Sequence, residues 1–240
     1  GIYNNVFSTL NLCNVADEYK VKHLLLISSD KAVRPTNIMG ASKRIAELIF
    51  QAFSSNSNFT KYCIVRFGNV LGSSGSVVPK FYKQISDGGP VTITHPEIKR
   101  YFMTITEASL LVIQSLSLSK GGDILLLDMG NPIKIKDLAI KMIKLSGLTL
   151  KDKKNRSGDI EIIYSGLRPG EKLYEELLID AKAEKTSHPK IYRACEKSFQ
   201  KKVLFKKLKA LESSINDNDL KEFLIVLKEI VPEWENSYLN

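Results

Sequence analysis

The sequence predicts an α/β protein built on a largely parallel sheet. Short apolar runs of strand length alternate with longer segments at helical spacing, and a Gly- and Ser-rich loop follows one of those runs. A chain of 240 residues, 43% hydrophobic and 25% charged, has globular composition and length for one large domain, or for a domain with a satellite lobe.

Within residues 2–18, Val6, Leu10, Cys13 or Asn14, and Asp17 recur at helical spacing, and Leu24–Ile27 follows as a buried strand. After a loop containing Pro35, a helix over Ile38–Phe53 places Ile45, Leu48, Ile49 and Phe53 on one face, and Tyr62–Val65 is the next strand. The loop Phe67–Ser76 carries Gly68, Gly72 and Gly75, which permit turns or a close backbone approach to a ligand. Then come a helix at Val77–Ser86, an extended stretch at Val91–Thr94, a helix at Thr106–Leu118 and a strand at Ile124–Leu127. A helix at Ile135–Leu145, a strand at Ile160–Tyr164 and a short helix after Gly170 complete the pattern. Residues 199–231 read as two charged amphipathic helices, the second with a packing stripe of Leu220, Phe223, Leu224, Leu227 and Ile230.

The charge balance, 35 Lys and Arg against 26 Asp and Glu, is moderately basic. The positives are dispersed apart from 151–156, 201–202 and 206–207, runs that suit solvated loops and helix faces. No nucleic-acid partner is therefore expected, and a phosphate-bearing small ligand accounts for the charge equally well. Cys13, Cys63 and Cys195 are too few and too scattered for a disulfide framework, so reduced thiols in a cytoplasmic setting are expected. Apolar runs fall short of the roughly 18 residues of a membrane span. His23, His95 and His188 are far apart, and no metal site is expected. The chain begins at Gly1 without a signal-like segment, so it is expected to be a fragment of something longer.

The densest chemistry is Ser28-Ser29-Asp30-Lys31 at a strand end, followed by Met39-Gly40-Ala41-Ser42-Lys43 at a helix start. Open parallel sheets bind ligands at such strand ends. Met39 and Lys43 are four apart and share a helix face. Two arrangements fit the spacing: Ser29 and Asp30 cap the turn while the lysines are solvated, or hydroxyl, carboxylate and two ammoniums meet in one crevice.

The run Ile27 to Arg44 resembles the signature of bacterial polysaccharide-biosynthesis nucleotide-sugar 4,6-dehydratases, which are extended short-chain dehydrogenase/reductases. The resemblance continues in collinear order through Arg66–Gly72, Gly75–Pro79, Gly88–Val91, His95-Pro96, Arg100–Met103 and Arg168–Leu173, over roughly residues 5 to 180. It implies the carboxyl-terminal part of a doubly wound Rossmann-type sheet with a smaller substrate-binding lobe and a helical tail. The expected divisions are a partial Rossmann-type domain at 1–128, a lobe at 129–190 and a helical extension at 191–240. The family's first βαβ unit, with the Gly-rich fingerprint that binds NAD or NADP, has no counterpart among these residues.

The resemblance also implies roles. Ser29 matches the serine or threonine that hydrogen-bonds the sugar near its C4 oxygen, and Lys43 the lysine that holds the nicotinamide ribose, with Ser28 beside the cofactor. Asp30 and Lys31 match the acid/base pair that removes the C5 proton and assists loss of the C6 hydroxyl. Asn69, Arg100 and Arg168 match positions contacting the diphosphate, whose paired oxygens suit guanidinium, and Glu171 one near the nucleotide ribose. Met39 departs from the usual tyrosine and has no transferable proton, although some members of this dehydratase subgroup carry Met there. The proton on the C4 hydroxyl then falls to Asp30, to Ser29 with water, or to another group, and a dead active site is the opposing reading.

The implied activity is a UDP-N-acetylhexosamine 4,6-dehydratase acting on UDP-GlcNAc. Hydride passes from C4 to NAD(P), water leaves across C5 and C6, and hydride returns to C6. The competing readings are a UDP-sugar epimerase of the same superfamily and a non-catalytic nucleotide-sugar-binding relic. The expected location is the cytoplasm, at the cytoplasmic face of the inner membrane should the full-length protein carry an anchor. The complete protein is expected to form homo-oligomers, and this fragment alone to be inactive.

Overall fold

The computed structural model describes residues 1–73, 75–178 and 183–235. Ser74, 179–182 and 236–240, which fall in the expected glycine loop, lobe and tail, lie outside the described residues. In chain order, a π-helical turn at Tyr3–Phe7 leads into α1 (Ser8–Glu18), β1 (His23–Ser29), a 3-10 turn at Asp30–Ala32, α2 (Ile38–Ser54), β2 (Lys61–Phe67) and β3 (Asn69–Val70). Next come α3 (Val77–Ser86), β4 (Val91–Ile93), β5 (Lys99–Arg100), β6 (Phe102–Met103), α4 (Ile105–Leu118), β7 (Ile124–Leu127) and β8 (Ile133–Lys134). The chain continues through α5 (Ile135–Leu145), β9 (Leu150–Lys151), β10 (Ile160–Tyr164), β11 (Glu184–Lys185), β12 (Ile191–Ala194), α6 (Lys201–Asn216) and α7 (Leu220–Ile230). No helix of the described residues is long and apolar enough to cross a membrane.

These elements form two compact units, and neither is contiguous in sequence. The first comprises Gly1–Phe67, Leu110–Asp128 and Glu176–Asn240, the second Gly68–Ser109 and Met129–Glu175. This differs from the expected division at 128 and 190. One apolar cluster joins Phe81, Ile85, Val91, Ile93 and Ile98 to Ile135, Ala139, Ile143 and Ile160, so the second unit is built from two excursions of the chain.

In the first unit the described strands run in the order β1-β2-β7-β12-β11. The β1/β2 and β2/β7 pairs are parallel, as expected, while β12 and β11 add antiparallel pairing. Ile191–Ala194 therefore belongs to the sheet and not to a purely helical extension; four residues between turns are too few to show a period in sequence. Helices cover both faces of the central strands. Tyr62 and Ile64 of β2 pack into the cluster formed with α2, α6 and α7, and Cys63 Sγ on the other face lies 3.8 Å from the Ser115 carbonyl of α4. β1 is an edge strand, and Leu24–Leu26 are only half-buried with Ile27 exposed, in contrast to the fully buried strand expected. An edge strand has a neighbour on one side only.

The second unit has a parallel sheet β4-β10-β9, an antiparallel β5/β8 pair and a parallel β3/β6 pair. The helix expected after Gly170 is not formed. Its backbone acceptors are drawn into tertiary contacts instead: Lys99 N–H donates to the Leu173 carbonyl, and the Arg100 guanidinium to those of Lys172 and Leu173.

Candidate active site

The first unit supplies the strand-end cluster. Ser29 is the N-cap of the 3-10 turn: its Oγ accepts from Lys31 N–H at 3.2 Å and donates to Asp30 Oδ1 at 2.9 Å. The same Asp30 oxygen pairs with Lys31 Nζ at 2.9 Å. Asp30 is fully buried, and its Oδ2 has no hydrogen-bond partner. Capping and convergence, which the spacing left as alternatives, both occur for these three residues.

α2 starts where Asn37 Oδ1 accepts from Gly40 N–H at 2.9 Å. Gly40 is required by proximity, since a Cβ there would lie 2.3 Å from the Lys31 carbonyl oxygen. The first turn of α2 thus rests directly on the Asp30–Lys31 turn. Met39 is 46% exposed. Lys43, half-buried one turn later, makes no hydrogen bond or ion pair among the described residues, so its ammonium is not drawn into the Ser29–Asp30–Lys31 cluster.

Ser28 faces the opposite way. Its buried hydroxyl donates to Glu47 Oε1 at 2.6 Å, which commits it to α2. Glu47 in turn anchors an interior charge network. Arg66 binds both Glu47 oxygens at 3.0 and 2.6 Å and both Glu196 oxygens at 2.8 and 3.1 Å. Arg44 reaches Glu47 at 3.0 Å, Glu196 at 3.1 Å and Glu233 at 2.9 Å. Burial by itself would raise the Glu47 carboxyl, but the Arg66 and Arg44 charges, with the hydrogen bonds from Arg66 and Ser28, hold it below the usual range. Burial opposes the Arg66 charge, and the two glutamates reverse that effect. Arg44, Glu47, Glu196 and Glu233 were not singled out from sequence, because a charge on a helix or near a chain end reads as solvated. The one available signal was that Glu47 sits on the same helix turn as the buried Leu48 and Ile49.

In the second unit Arg100, Arg168 and Glu171 line one pocket of about 190 Å³, beside Ser76 at the start of α3. Asn69 is not among the residues lining it; its amide donates to the Tyr101 carbonyl at 3.2 Å. Glu171 accepts from Thr94 Oγ1 at 3.0 Å and from Arg168 N–H at 3.1 Å, and lies 3.6 Å from Arg100 Nη2. The Arg168 guanidinium has no hydrogen-bond or ion-pair partner among the described residues, and Ser76 Oγ is buried without a partner. Donors left open in one concavity suit an oxyanion.

Other candidates fall away. His95 Nδ1 accepts from Glu97 N–H and His188 Nδ1 from Lys190 N–H, so both serve local turns. Burial pushes the Cys13 and Cys63 thiols up to about 12, which leaves them unreactive. No metal-holding group of His, Cys, Asp or Glu occurs among the described residues.

A nicotinamide dinucleotide, the cofactor implied by the resemblance, is met by part of a binding site. The free Lys43 ammonium fits a sugar hydroxyl, whereas Asp30 Oδ2 is buried without a partner and Ser28 Oγ is already committed. The sequence holds no G-x-G-x-x-G turn to receive a pyrophosphate.

Comparison with known proteins shows the family. A family described as "Polysaccharide biosynthesis protein" matches residues 1–196. The chain is 54% identical over 177 residues to the capsular polysaccharide biosynthesis protein CapD of Staphylococcus aureus, covering 74% of this chain and 28% of that protein. It is 35% identical over 179 residues to a UDP-glucose 4-epimerase of Rickettsia rickettsii, covering 74% and 49%. Among solved structures, Pen from Bacillus thuringiensis superposes with a TM-score of 0.69 at 34% identity, over 82% of this chain and 60% of that one. The dTDP-glucose 4,6-dehydratase of Bacillus anthracis, solved with NAD, shares the fold at a TM-score of 0.59 and 18% identity, over 68% and 56%. The chain thus spans between about a quarter and three-fifths of these relatives.

Proposed function

The chain belongs to the family of polysaccharide biosynthesis proteins, and from that premise we propose that it is the catalytic and substrate-binding part of a UDP-N-acetylhexosamine 4,6-dehydratase, with UDP-GlcNAc as substrate. The observation that supports this reading is the contact of Asp30 with Lys31 at 2.9 Å, with Ser29 on the same carboxylate oxygen. Elimination of water needs a base for the C5 proton and an acid for the departing C6 hydroxyl, and a carboxylate and an ammonium in contact divide that work. The Ser29 hydroxyl, which donates to Asp30 Oδ1 here, turns to donate to the C4 oxygen when the sugar binds. The proton on the C4 hydroxyl, which Met39 is unable to take, passes to water by way of Ser29, because Asp30 is reserved for the C5 proton and a carboxylate holds one proton at a time. Arg168, whose guanidinium is without a partner among the described residues, holds the diphosphate with Arg100 beside it in the same pocket, and Glu171 takes the nucleotide ribose; Asn69 lies outside that pocket with its amide on the Tyr101 carbonyl.

NAD or NADP, when bound, supplies the two-electron acceptor that oxidises C4 and the donor that reduces C6. Lys43 holds its ribose. The dinucleotide's pyrophosphate needs a Gly-rich turn from a further segment, and the half-exposed apolar edge of β1 is suited to pair with a strand of that segment. On this reading the 240 residues alone are inactive.

The test is to express the chain joined to its Gly-rich segment and follow UDP-GlcNAc by mass. Loss of water from the sugar, abolished by Asp30→Asn and by Lys31→Ala, supports the dehydratase. Intact UDP-GlcNAc in the presence of folded, cofactor-loaded protein overturns it for that sugar. The 35% identity to a UDP-glucose 4-epimerase favours one second reading, epimerisation, which the same assay reports as a C4 epimer of unchanged mass.

A further inference from the structure

Charge in the second unit is concentrated in one place. Residues 134–156 carry eight Lys and Arg against two Asp, a net +6 within a chain of net +9. α5, β9 and the loop after β9 fold this stretch around a cleft of about 670 Å³, which Lys136, Lys151, Lys153, Arg156 and Tyr164 help to line. No residue lining it also lines the pocket of Arg100, Arg168 and Glu171.

The frame that displays these cations is rigidly built. Asp152 Oδ1 accepts from the main-chain N–H groups of Lys154 and Asn155, both at 2.8 Å. Asn155 Nδ2 donates to the Leu150 carbonyl at 3.1 Å, and Gly158 packs so closely that a Cβ would fall 2.3 Å from that oxygen. Asp152 is therefore spent on the loop, and its carboxyl is held below the ordinary range first by those backbone donors and then by the Lys154 and Lys136 charges. Glu161, in register with Lys151, is the other carboxylate at the wall. None of the four cations closes an ion pair or a side-chain hydrogen bond among the described residues. Like charges gathered on a pinned loop repel one another and raise the local concentration of anions.

We propose that this cleft is a second phosphate-recognising site, which takes a phosphate or diphosphate group carried either on a free molecule or on a lipid headgroup. The guanidinium of Arg156 suits paired phosphate oxygens, the lysines add point charges, and Tyr164 forms an aromatic wall for whatever the phosphate bears. The inference is independent of the reaction proposed above.

The experiment uses the full chain carrying Arg168→Ala, to weaken the other pocket, at about 0.15 M salt. Inorganic pyrophosphate is titrated by calorimetry, and phosphatidylglycerol vesicles are tested by co-flotation. Binding of pyrophosphate identifies a free ligand, and binding of vesicles alone a lipid-borne one. In either case Lys136→Ala with Arg156→Ala weakens binding at least about tenfold, whereas Lys141→Ala with Lys144→Ala, an equal loss of charge on α5 outside the cleft, changes it less than about twofold. Equal losses in the two pairs would mean diffuse charge without a site and would overturn the proposal, as would failure to bind either probe.

Discussion

Ser28 and Glu47 are 19 positions apart in the chain and meet at 2.6 Å, the hydroxyl donating to the carboxylate. Ser28 directly precedes Ser29, and Glu47 lies one helical turn beyond Lys43. One buried contact therefore sets the end of β1 against the face of α2, and with it the two places from which the proposed chemistry is presented.

Glu47 is the keystone of the interior charges, with Arg44 and Arg66 both bound to it. Glu47→Ala leaves two buried guanidiniums undercompensated and is expected to lower stability by about 3–5 kcal/mol. Ser28→Ala removes a single hydrogen bond to a charged group and is expected to cost about 1.5–3 kcal/mol. Urea unfolding of the two variants checks the order, and a larger loss for Ser28→Ala would contradict it.

Acid should act through the same carboxylate. The Glu47 carboxyl is lower in the folded protein than its ordinary value of about 4.3, so its contribution is complete above that pH and disappears as pH falls through the folded value. Unfolding free energy measured between about pH 7 and pH 3 should fall at the acid end, and Glu47→Gln should flatten that limb. An unchanged limb in the variant would remove Glu47 from the account.

Gly40 is a point of close approach. Gly40→Ala places a methyl 2.3 Å from the Lys31 carbonyl oxygen and 2.9 Å from Pro35 Cβ, so the Asp30–Lys31 turn or the first turn of α2 must move. The expected cost is about 1–3 kcal/mol, despite the better helix propensity of Ala. If the proposed activity holds, turnover should fall by more than this loss of stability explains; a variant as active as the parent would show that the turn is not held by this contact.

The sole tryptophan reports on the chain's carboxyl-terminal end. Trp234 is 1% exposed, Glu233 pairs with Arg44, and Glu235 N–H donates to the Pro35 carbonyl at 2.9 Å. Trp234→Ala should cost about 3–5 kcal/mol. Trp234→Phe keeps a ring and removes the buried, unpartnered Nε1–H, so it should cost roughly half as much or less. Native emission should be blue-shifted and should move red in step with loss of helical circular dichroism in urea. An early red shift would show that the end of the chain detaches first.

What the sequence determined by itself was local. Helical and strand periods located Val77–Ser86, Ile135–Leu145 and Ile160–Tyr164 at the observed boundaries, because burial of one face repeats over many residues. The adjacency of Ser29, Asp30 and Lys31 placed the three at a strand end, but the spacing left capping and convergence open, and only the structure brought Ser29 and Lys31 onto one Asp30 oxygen. Tertiary structure decided the rest. Arg66 meets Glu196 across 130 positions, and no period or spacing encodes such a contact. Two-residue strands such as β5 and β8 exist only because another segment offers its backbone. The carbonyls of Lys172 and Leu173 go to Arg100 in place of a helix, because a guanidinium from a distant strand competes with intrahelical donors, and that competition is decided only once the chain has folded.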